Sequence, residues 1–158
     1  DKIIEMIKER NFESEMGKDF KLKIFQNTLS GEKHYALVKN LIKNDEPKYV
    51  RMHKLDITKD IFEEKNLFGD EISKSFKIIE ERGSGAIVLI NSDMAPKIEK
   101  IFNGREAKDN KLELREYGVG AQILLELGLR KIILLSNSNK KIIALDGFNL
   151  EIVDQEKI

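Results

Sequence analysis

One turn near the C-terminal end combines residue types that could bind an anion. Residues 136–141, with the sequence SNSNKK, lie between a predicted strand and a predicted helix. A turn of this kind presents hydroxyls, backbone N–H groups and a lysine ammonium to a bound anion. The same turn is also typical of a capped helix start, with Ser138 or Asn139 as the N-cap. The residues alone slightly favour the capped helix start over an anion site.

Metal chemistry is restricted by the side chains that the chain contains. There is no cysteine, so neither a disulfide nor a thiolate metal site can form. The two histidines, His34 and His53, have no partner at metal-ligand spacing. Carboxylate oxygens suit magnesium, and Asp56, Asp60 and Glu113 are candidate ligands. Their spacing does not distinguish them from the other acidic residues among the 28 in the chain. We therefore expect no zinc site, and magnesium stays open.

The composition is that of one domain without an electrostatic bias. The chain has 158 residues, and its 28 basic and 28 acidic residues give a formal net charge of zero. Such a balance produces no broad field that attracts nucleic acid or an anionic membrane. No run approaches the roughly 18 apolar residues that span a bilayer, and no signal-peptide pattern is visible. We expect no nucleic-acid or membrane partner and a cytoplasmic location.

The first half of the chain predicts an antiparallel meander of strands. Residues 1–18 predict a lead-in linker, with a short helix indicated by the spacing of Ile3, Ile4 and Ile7. The domain proper is assigned to residues 19–158. Three strands with near-alternating or apolar sequences follow in this half, at residues 20–25, 35–38 and 49–52.

The second half alternates helices with buried strands, which predicts a mostly parallel arrangement and an α/β fold, or α+β in a looser description. Ile72, Phe76 and Ile79 have helical spacing, and Gly83 ends that helix. Further helices are predicted at residues 98–102, 117–127 and 140–145. Apolar runs predict strands at residues 86–90, 132–135 and 150–153.

Residues 114–153 carry a specific family resemblance. Their sequence, LREYGVGAQILLELGLRKIILLSNSNKKIIALDGFNLEIV, is similar to the closing segment of GTP cyclohydrolase II, the zinc enzyme that opens the guanine ring of GTP in riboflavin synthesis. Weaker matches occur in the same order, namely HYALVK at 34–39, EP followed by VRMH at 46–53, and ERGSG at 81–85. The resemblance covers about residues 20–155 and implies the fold of that family.

The resemblance also implies partners. Members of the family often form the C-terminal half of a two-domain protein whose N-terminal half is 3,4-dihydroxy-2-butanone 4-phosphate synthase. Because the chain starts at Asp1 without a methionine, we expect an excised C-terminal domain with that synthase domain upstream. The family tends to dimerise, so we also expect a homodimer.

Site residues follow from the resemblance position by position. Glu113 and Arg115 stand where the family has a catalytic acid and an arginine at the phosphate, although an ordinary helix start explains them equally well. Four residues correspond to the nucleotide site and imply binding of GTP or a related phosphate: Arg51, His53, Ser136 and Lys141. By themselves, an arginine and a histidine at a strand end are more often structural.

Other parts of the family site are missing. The three zinc cysteines align with Asp56, Asn66 and Phe68, and a phenyl ring has no lone pair to donate to a metal. The family's loop after Ile90 and its catalytic tyrosine have no counterpart. We therefore predict little or no cyclohydrolase activity and a structural or regulatory role for the synthase half. The alternatives are a nucleotide-binding sensor and an active hydrolase that uses a non-cysteine metal site.

Overall fold

The fold is built on one mixed sheet. A computed structural model of the chain describes residues 3–42, 44–55, 69–91, 110–137, 145 and 147–158. The strands among these residues are β1 (Ile4–Ser14), β2 (Gly17–Asn27), β3 (Lys33–Lys39), β4 (Lys48–Leu55), β5 (Gly85–Asn91), β6 (Lys131–Leu135) and β7 (Glu151–Glu156). The helices are α1 (Gly69–Arg82) and α2 (Asn110–Glu126).

The sheet has an antiparallel half and a parallel half that meet at β5. The strand order is β1-β2-β3-β5-β4-β6-β7. β1, β2 and β3 form an antiparallel meander, and β5 is antiparallel to β3 but parallel to β4. β4, β6 and β7 continue in parallel. The predicted fold class, an antiparallel meander followed by helices and mostly parallel strands, is confirmed.

The two helices cover opposite faces of the sheet. Side chains alternate between the faces along β5, so that Val88 packs with the α2 residue Leu124 in one apolar cluster, whereas Ile87 packs with the α1 residue Phe76 in the other. Burial on both faces explains why the sequence of β5 is a continuous apolar run. No helix in the described ranges is long and apolar enough to span a membrane.

The helix predicted near Ile3, Ile4 and Ile7 is wrong, because this segment is strand β1. β1 pairs with β2 along its length, with register irregularities between Met6 and Lys8 and again near Ser14. An extra residue at such a bulge breaks the period of two, so the pattern of apolar residues resembles helical spacing. The pairing of β1 with β2 overrides that local signal.

The position of the third predicted strand also differs from the expectation. Residues 49–52 do form part of β4, but β4 is not hydrogen-bonded to β3. Instead it lies between β5 and β6 and is parallel to both. The meander therefore consists of β1, β2 and β3. A sequence pattern that identifies a strand does not specify its neighbours, and these depend on the crossover that follows it.

The remaining element predictions agree with the structure where it describes them. The strands at 20–25, 35–38, 86–90, 132–135 and 150–153 are confirmed, as is the helix at 72–79. Gly83 ends α1 with a positive φ of 88°, which glycine adopts without strain. The helix at 117–127 is confirmed, but it begins earlier, at Asn110. The helix predicted at 98–102 lies outside the described residues, as do residues 140–144 of the helix predicted at 140–145.

Gly120 allows α2 to pack closely against the sheet. A Cβ atom at this position would lie 2.0 Å from Met52 Cε and 3.0 Å from Ile90 Cδ1, and both of these side chains are in the core. At Gly118, on the same helix, the nearest atom to a Cβ would be Phe148 Cζ at 3.4 Å. Gly120 thus serves the close packing of α2 against the sheet, whereas Gly118 leaves room for a methyl group.

We predict that Gly120→Ala lowers the free energy of unfolding by about 1–3 kcal/mol, since overpacking forces buried side chains from their positions. Gly118→Ala is the matched control. It should be neutral or stabilise the chain by up to about 1 kcal/mol, because alanine is the better helix former. Urea unfolding of the two variants measures the difference. Equal stabilities would contradict this account of the α2 packing.

Candidate functional site

The carboxyl ends of β4, β5 and β6 meet at one edge of the sheet. After β4 the chain returns through α1 to β5 on one side, and after β5 it returns through α2 to β6 on the other side of β4. α1 and α2 lie on opposite faces, so the strand order reverses between β4 and β6. Such a reversal opens a crevice at the carboxyl ends of parallel strands, where ligands bind in open α/β sheets. This crevice is the candidate site.

Arg51 of β4 places a guanidinium in the crevice with only 4% of the residue exposed. Its Nη1 donates to the carbonyl oxygen of Leu135, at the end of β6, over 3.0 Å. Its Nη2 donates to the carboxylate of Glu71 in the first turn of α1. Burial lowers the pKa of the Arg51 guanidinium, and the charge of Glu71 acts in the opposite direction. The guanidinium is therefore held by two elements other than its own strand.

A second ion pair lies on the α2 side of the same edge. Lys54 Nζ is 2.7 Å from Glu116 Oε2, and the side chain of Glu116 is only 6% exposed. Neither carboxylate oxygen of Glu116 makes a hydrogen bond of normal geometry within the described residues. Glu116 therefore depends on the nearby charge of Lys54, because a buried carboxylate without a countercharge is costly. This pair joins α2 to the end of β4.

His34 lies near the same edge, but its contacts stabilise the fold. The residue is 2% exposed, and its Nδ1 accepts a hydrogen bond from the backbone N–H of Asn91, at the end of β5, over 3.0 Å. Glu32 Oε1 is 3.6 Å from Nε2, beyond hydrogen-bond distance. Burial lowers the pKa of His34 to about 4. His34 is therefore a neutral structural residue, and its Nδ1 is not available to a metal ion.

The structure brings some of the sequence-predicted site residues together. Arg51 and His53 lie on β4, and Ser136 follows β6 directly, with 1% of the residue exposed. Ser136 is held by its backbone, since its N–H donates to the Glu156 carbonyl over 3.0 Å and its carbonyl accepts from Gln155 Nε2 over 2.6 Å. Arg51 thus contacts the residue that precedes Ser136, at the place where β4 and β6 are neighbours.

The other predicted site residues are not all placed. Glu113 and Arg115 belong to the first half of α2 by their backbone, and their side chains are not among the described atoms. Lys141 lies outside the described residues, as do Asp56, Asp60, Asn66 and Phe68. The proposed roles of Glu113, Arg115 and Lys141 stay predictions.

Sequence reasoning missed the acids of this crevice, Glu71 and Glu116. Both occur among many charged helix residues, and a charged residue on a helix is usually solvated. A usable signal for Glu71 was its position in the first turn of a helix, where a carboxylate is favoured. For Glu116 the only signal was a possible countercharge, Lys54, just after the predicted strand at 49–52.

The side chains present do not fit the zinc ion that the family resemblance implies. The aligned positions carry a carboxylate, an amide and a phenyl ring, at Asp56, Asn66 and Phe68, and the chain has no thiol to replace them. Among the described residues, no group of three or more histidine or acidic side chains could hold a metal ion. No step of a reaction is therefore assigned to a metal.

Comparisons with known proteins agree on one family. The profile of the family described as GTP cyclohydrolase II matches residues 5–157. The riboflavin biosynthesis protein RibBA of Chlorobium phaeovibrioides is 33% identical, over 98% of this chain and 41% of its own length. RibBA of Cytophaga hutchinsonii is 35% identical, over 86% and 37%.

A solved structure shows the same fold over the whole of this chain. It is RibBX, described as a two-domain 3,4-dihydroxy-2-butanone 4-phosphate synthase from A. baumannii, with a TM-score of 0.63 and 25% identity. The match covers 100% of this chain and 41% of that one. The chain therefore spans about two fifths of the length of each of these relatives.

We predict that Lys54→Ala lowers the free energy of unfolding by about 2 kcal/mol, because it leaves the Glu116 carboxylate buried without a countercharge. The value is below that of a fully buried pair, since the Lys54 side chain is 30% exposed. Adding Glu116→Gln should recover at least half of the loss. Lys77→Ala, at an exposed position of α1, is the control and should change the stability by less than about 0.5 kcal/mol. If the effects of Lys54→Ala and Glu116→Gln on the free energy of unfolding simply add in denaturant unfolding, the two side chains do not interact.

We also predict that His34 makes the chain less stable in acid. Its pKa is about 4 in the folded chain against 6.5 for a free side chain, so the unfolded chain takes up the proton first. The contribution of neutral His34 is complete above pH 6.5 and is lost as the pH falls towards 4, by about 3 kcal/mol in all.

The check is urea unfolding of the parent chain and of His34→Asn at pH 7 and pH 4.5. Asparagine retains an acceptor for the Asn91 N–H, and the variant should lose about 2–3 kcal/mol less stability between the two pH values than the parent. His53→Asn removes the other histidine and should leave the His34 contribution in place. An equal loss in the parent and in His34→Asn would rule out His34 as the cause.

Proposed function

This chain belongs to the GTP cyclohydrolase II family, and we propose that it is a cyclohydrolase-like domain of a riboflavin biosynthesis protein that has little or no ring-opening activity. Its role is to support or regulate a 3,4-dihydroxy-2-butanone 4-phosphate synthase domain. The relatives named RibBA and the two-domain synthase RibBX support the pairing with that partner. A cytoplasmic location and a homodimer remain part of the proposal.

The observation that carries this proposal is the complete absence of cysteine. Opening the imidazole ring of guanine requires a water that is nucleophilic near neutral pH, and a zinc ion supplies it by lowering the pKa of that water. The resemblance places three cysteines around this zinc, and the chain has Asp56, Asn66 and Phe68 instead. These side chains cannot reproduce a three-thiolate site.

The charges in the crevice support the same conclusion. A site that binds a triphosphate needs cations whose charge is directed at the ligand. Here Arg51 is paired with Glu71, and Lys54 is paired with Glu116. Two cations at the edge of the sheet thus neutralise acids of the chain itself and connect β4 to both helices. That is a structural use of the crevice.

A second candidate function is binding of GTP or a related phosphate without its conversion. The favouring observation is that Nε of Arg51, although buried, makes no hydrogen bond within the described residues. Arg51 also lies where the strand order reverses, next to the residue that precedes Ser136. Arg115 and Lys141 would complete this site. Saturable micromolar binding of GTP that Arg115→Ala weakens would support it, and no binding at millimolar GTP would exclude it.

The direct test of the proposal is GTP turnover by the purified chain, supplied with zinc and magnesium, with formate and the pyrimidine product measured. We expect no product above the level of a heat-inactivated sample, whereas an active cyclohydrolase assayed in parallel should release formate. Formate at a catalytic rate would contradict the proposal and would require a metal site built from oxygen ligands.

A gain-of-function variant tests whether the cysteines alone are missing. The triple substitution Asp56→Cys, Asn66→Cys and Phe68→Cys supplies three thiols at the aligned positions. We expect no turnover from it, because the loop after Ile90 and the catalytic tyrosine also lack counterparts. Recovered activity would show that the rest of the site is intact.

A further inference from the structure

The Arg51–Glu71 pair is asymmetric in its exposure. The Arg51 side chain is 4% exposed, whereas the Glu71 side chain is 46% exposed. The cation is therefore fixed inside the crevice, and its carboxylate partner lies on the solvent side. Glu71 is therefore the member of the pair that solvent reaches.

The two partners also differ in how they are anchored. Arg51 is tied to β6 through the Leu135 carbonyl oxygen. The backbone of Glu71 is held by the hydroxyl of Ser75, which donates to the Glu71 carbonyl oxygen over 2.6 Å. The Glu71 carboxylate makes only the Arg51 contact within the described residues. Rotation of this one side chain towards water would thus free Nη2 of the guanidinium.

The guanidinium would then have unused hydrogen-bonding capacity. Nε makes no hydrogen bond within the described residues, and Nη2 would lose its carboxylate. Nε and Nη2 of an arginine form a planar fork that matches two oxygens of a phosphate group. The first turn of α1 carries Glu71 to this position, and a helix N-terminus also favours a negative charge.

We propose that Glu71 is an internal competitor for a phosphate-binding site on Arg51: its carboxylate occupies the anion position in the free chain, and a phosphate-bearing ligand must displace it. The ligand chemistry is a phosphate or pyrophosphate group, free or as part of a nucleotide. This inference deepens the binding function given above and rests on it for the site, but it does not depend on whether GTP is converted. Glu71 thereby sets the affinity of the crevice for anions.

The experiment is calorimetric titration of inorganic pyrophosphate into the chain and its Glu71→Gln variant at one low ionic strength. Glutamine retains an acceptor for Arg51 but removes the competing charge, so we expect binding about fivefold tighter than in the parent chain. The matched control is Glu81→Gln, which makes the same charge change at an exposed position at the other end of α1 and should leave the affinity unchanged within twofold. Circular dichroism checks that all variants are folded.

A second variant tests whether Arg51 is the group that is freed. Arg51→Lys in the Glu71→Gln background keeps the charge but removes the fork, and it should abolish the gain. Equal or weaker binding in Glu71→Gln, an equal gain in Glu81→Gln, or a gain that survives Arg51→Lys would each overturn the proposal.

Titration of GTP and of guanosine identifies the ligand chemistry. A gain for GTP and for pyrophosphate alike supports competition at the phosphate groups. A gain in affinity for uncharged guanosine would contradict it, and so would a gain for GTP that is not seen for pyrophosphate. If neither the parent chain nor Glu71→Gln binds pyrophosphate or GTP, the binding function itself fails and the inference fails with it. If the parent chain binds GTP and Glu71→Gln binds it no more tightly, only the competition by Glu71 fails.

Discussion

Arg51 brings a permanent charge into a part of the sheet where only 4% of the residue meets solvent. A buried guanidinium is tolerated only where hydrogen bonds and a countercharge replace its hydration. Those groups come from outside β4, namely the Leu135 carbonyl at the end of β6 and the Glu71 carboxylate of α1. The need to satisfy this one cation thus ties three elements together at the carboxyl edge, and the crevice takes its shape from them.

The topology explains why this edge can serve as a site. β5 pairs with β3 on one side in antiparallel orientation and with β4 on the other in parallel orientation. The meander therefore joins the sheet without interrupting the parallel half. α1 and α2 lie on opposite faces of the sheet, and the strand order reverses between β4 and β6. At this point Glu71 of α1 pairs with Arg51, and Glu116 of α2 pairs with Lys54. Two cations of β4 thus neutralise acids of the chain itself.

Much of the fold could be predicted from the sequence because apolar periodicity reports burial. The run in β5 and the repeat of Ile72, Phe76 and Ile79 predicted their elements correctly. The bulged strand β1 was predicted as a helix, because its irregular register hides the alternation that marks a strand. The neighbours of β4 depend on contacts distant in sequence, which a local pattern does not contain.

The site was only partly predictable. The family resemblance assigned Arg51 and Ser136 to one nucleotide site, and the structure places Arg51 against Leu135, the residue that precedes Ser136. The acids that neutralise the cations could not be identified, because the local sequence does not show which of the 28 acidic residues are buried. The pairing of Glu71 with Arg51 arises from the return of α1 over the sheet, and only the folded chain shows it.

The most direct test of this account is the side-chain guanidinium NMR signal of Arg51 in the ligand-free chain. If the chain's own Leu135 and Glu71 hold the guanidinium, its Nη protons should give separate, slowly exchanging resonances at low temperature. Arg10, which is exposed on β1, should show averaged and rapidly exchanging protons. An Arg51 guanidinium that rotates and exchanges as fast as that of Arg10 would contradict the central claim that the crevice is neutralised from within.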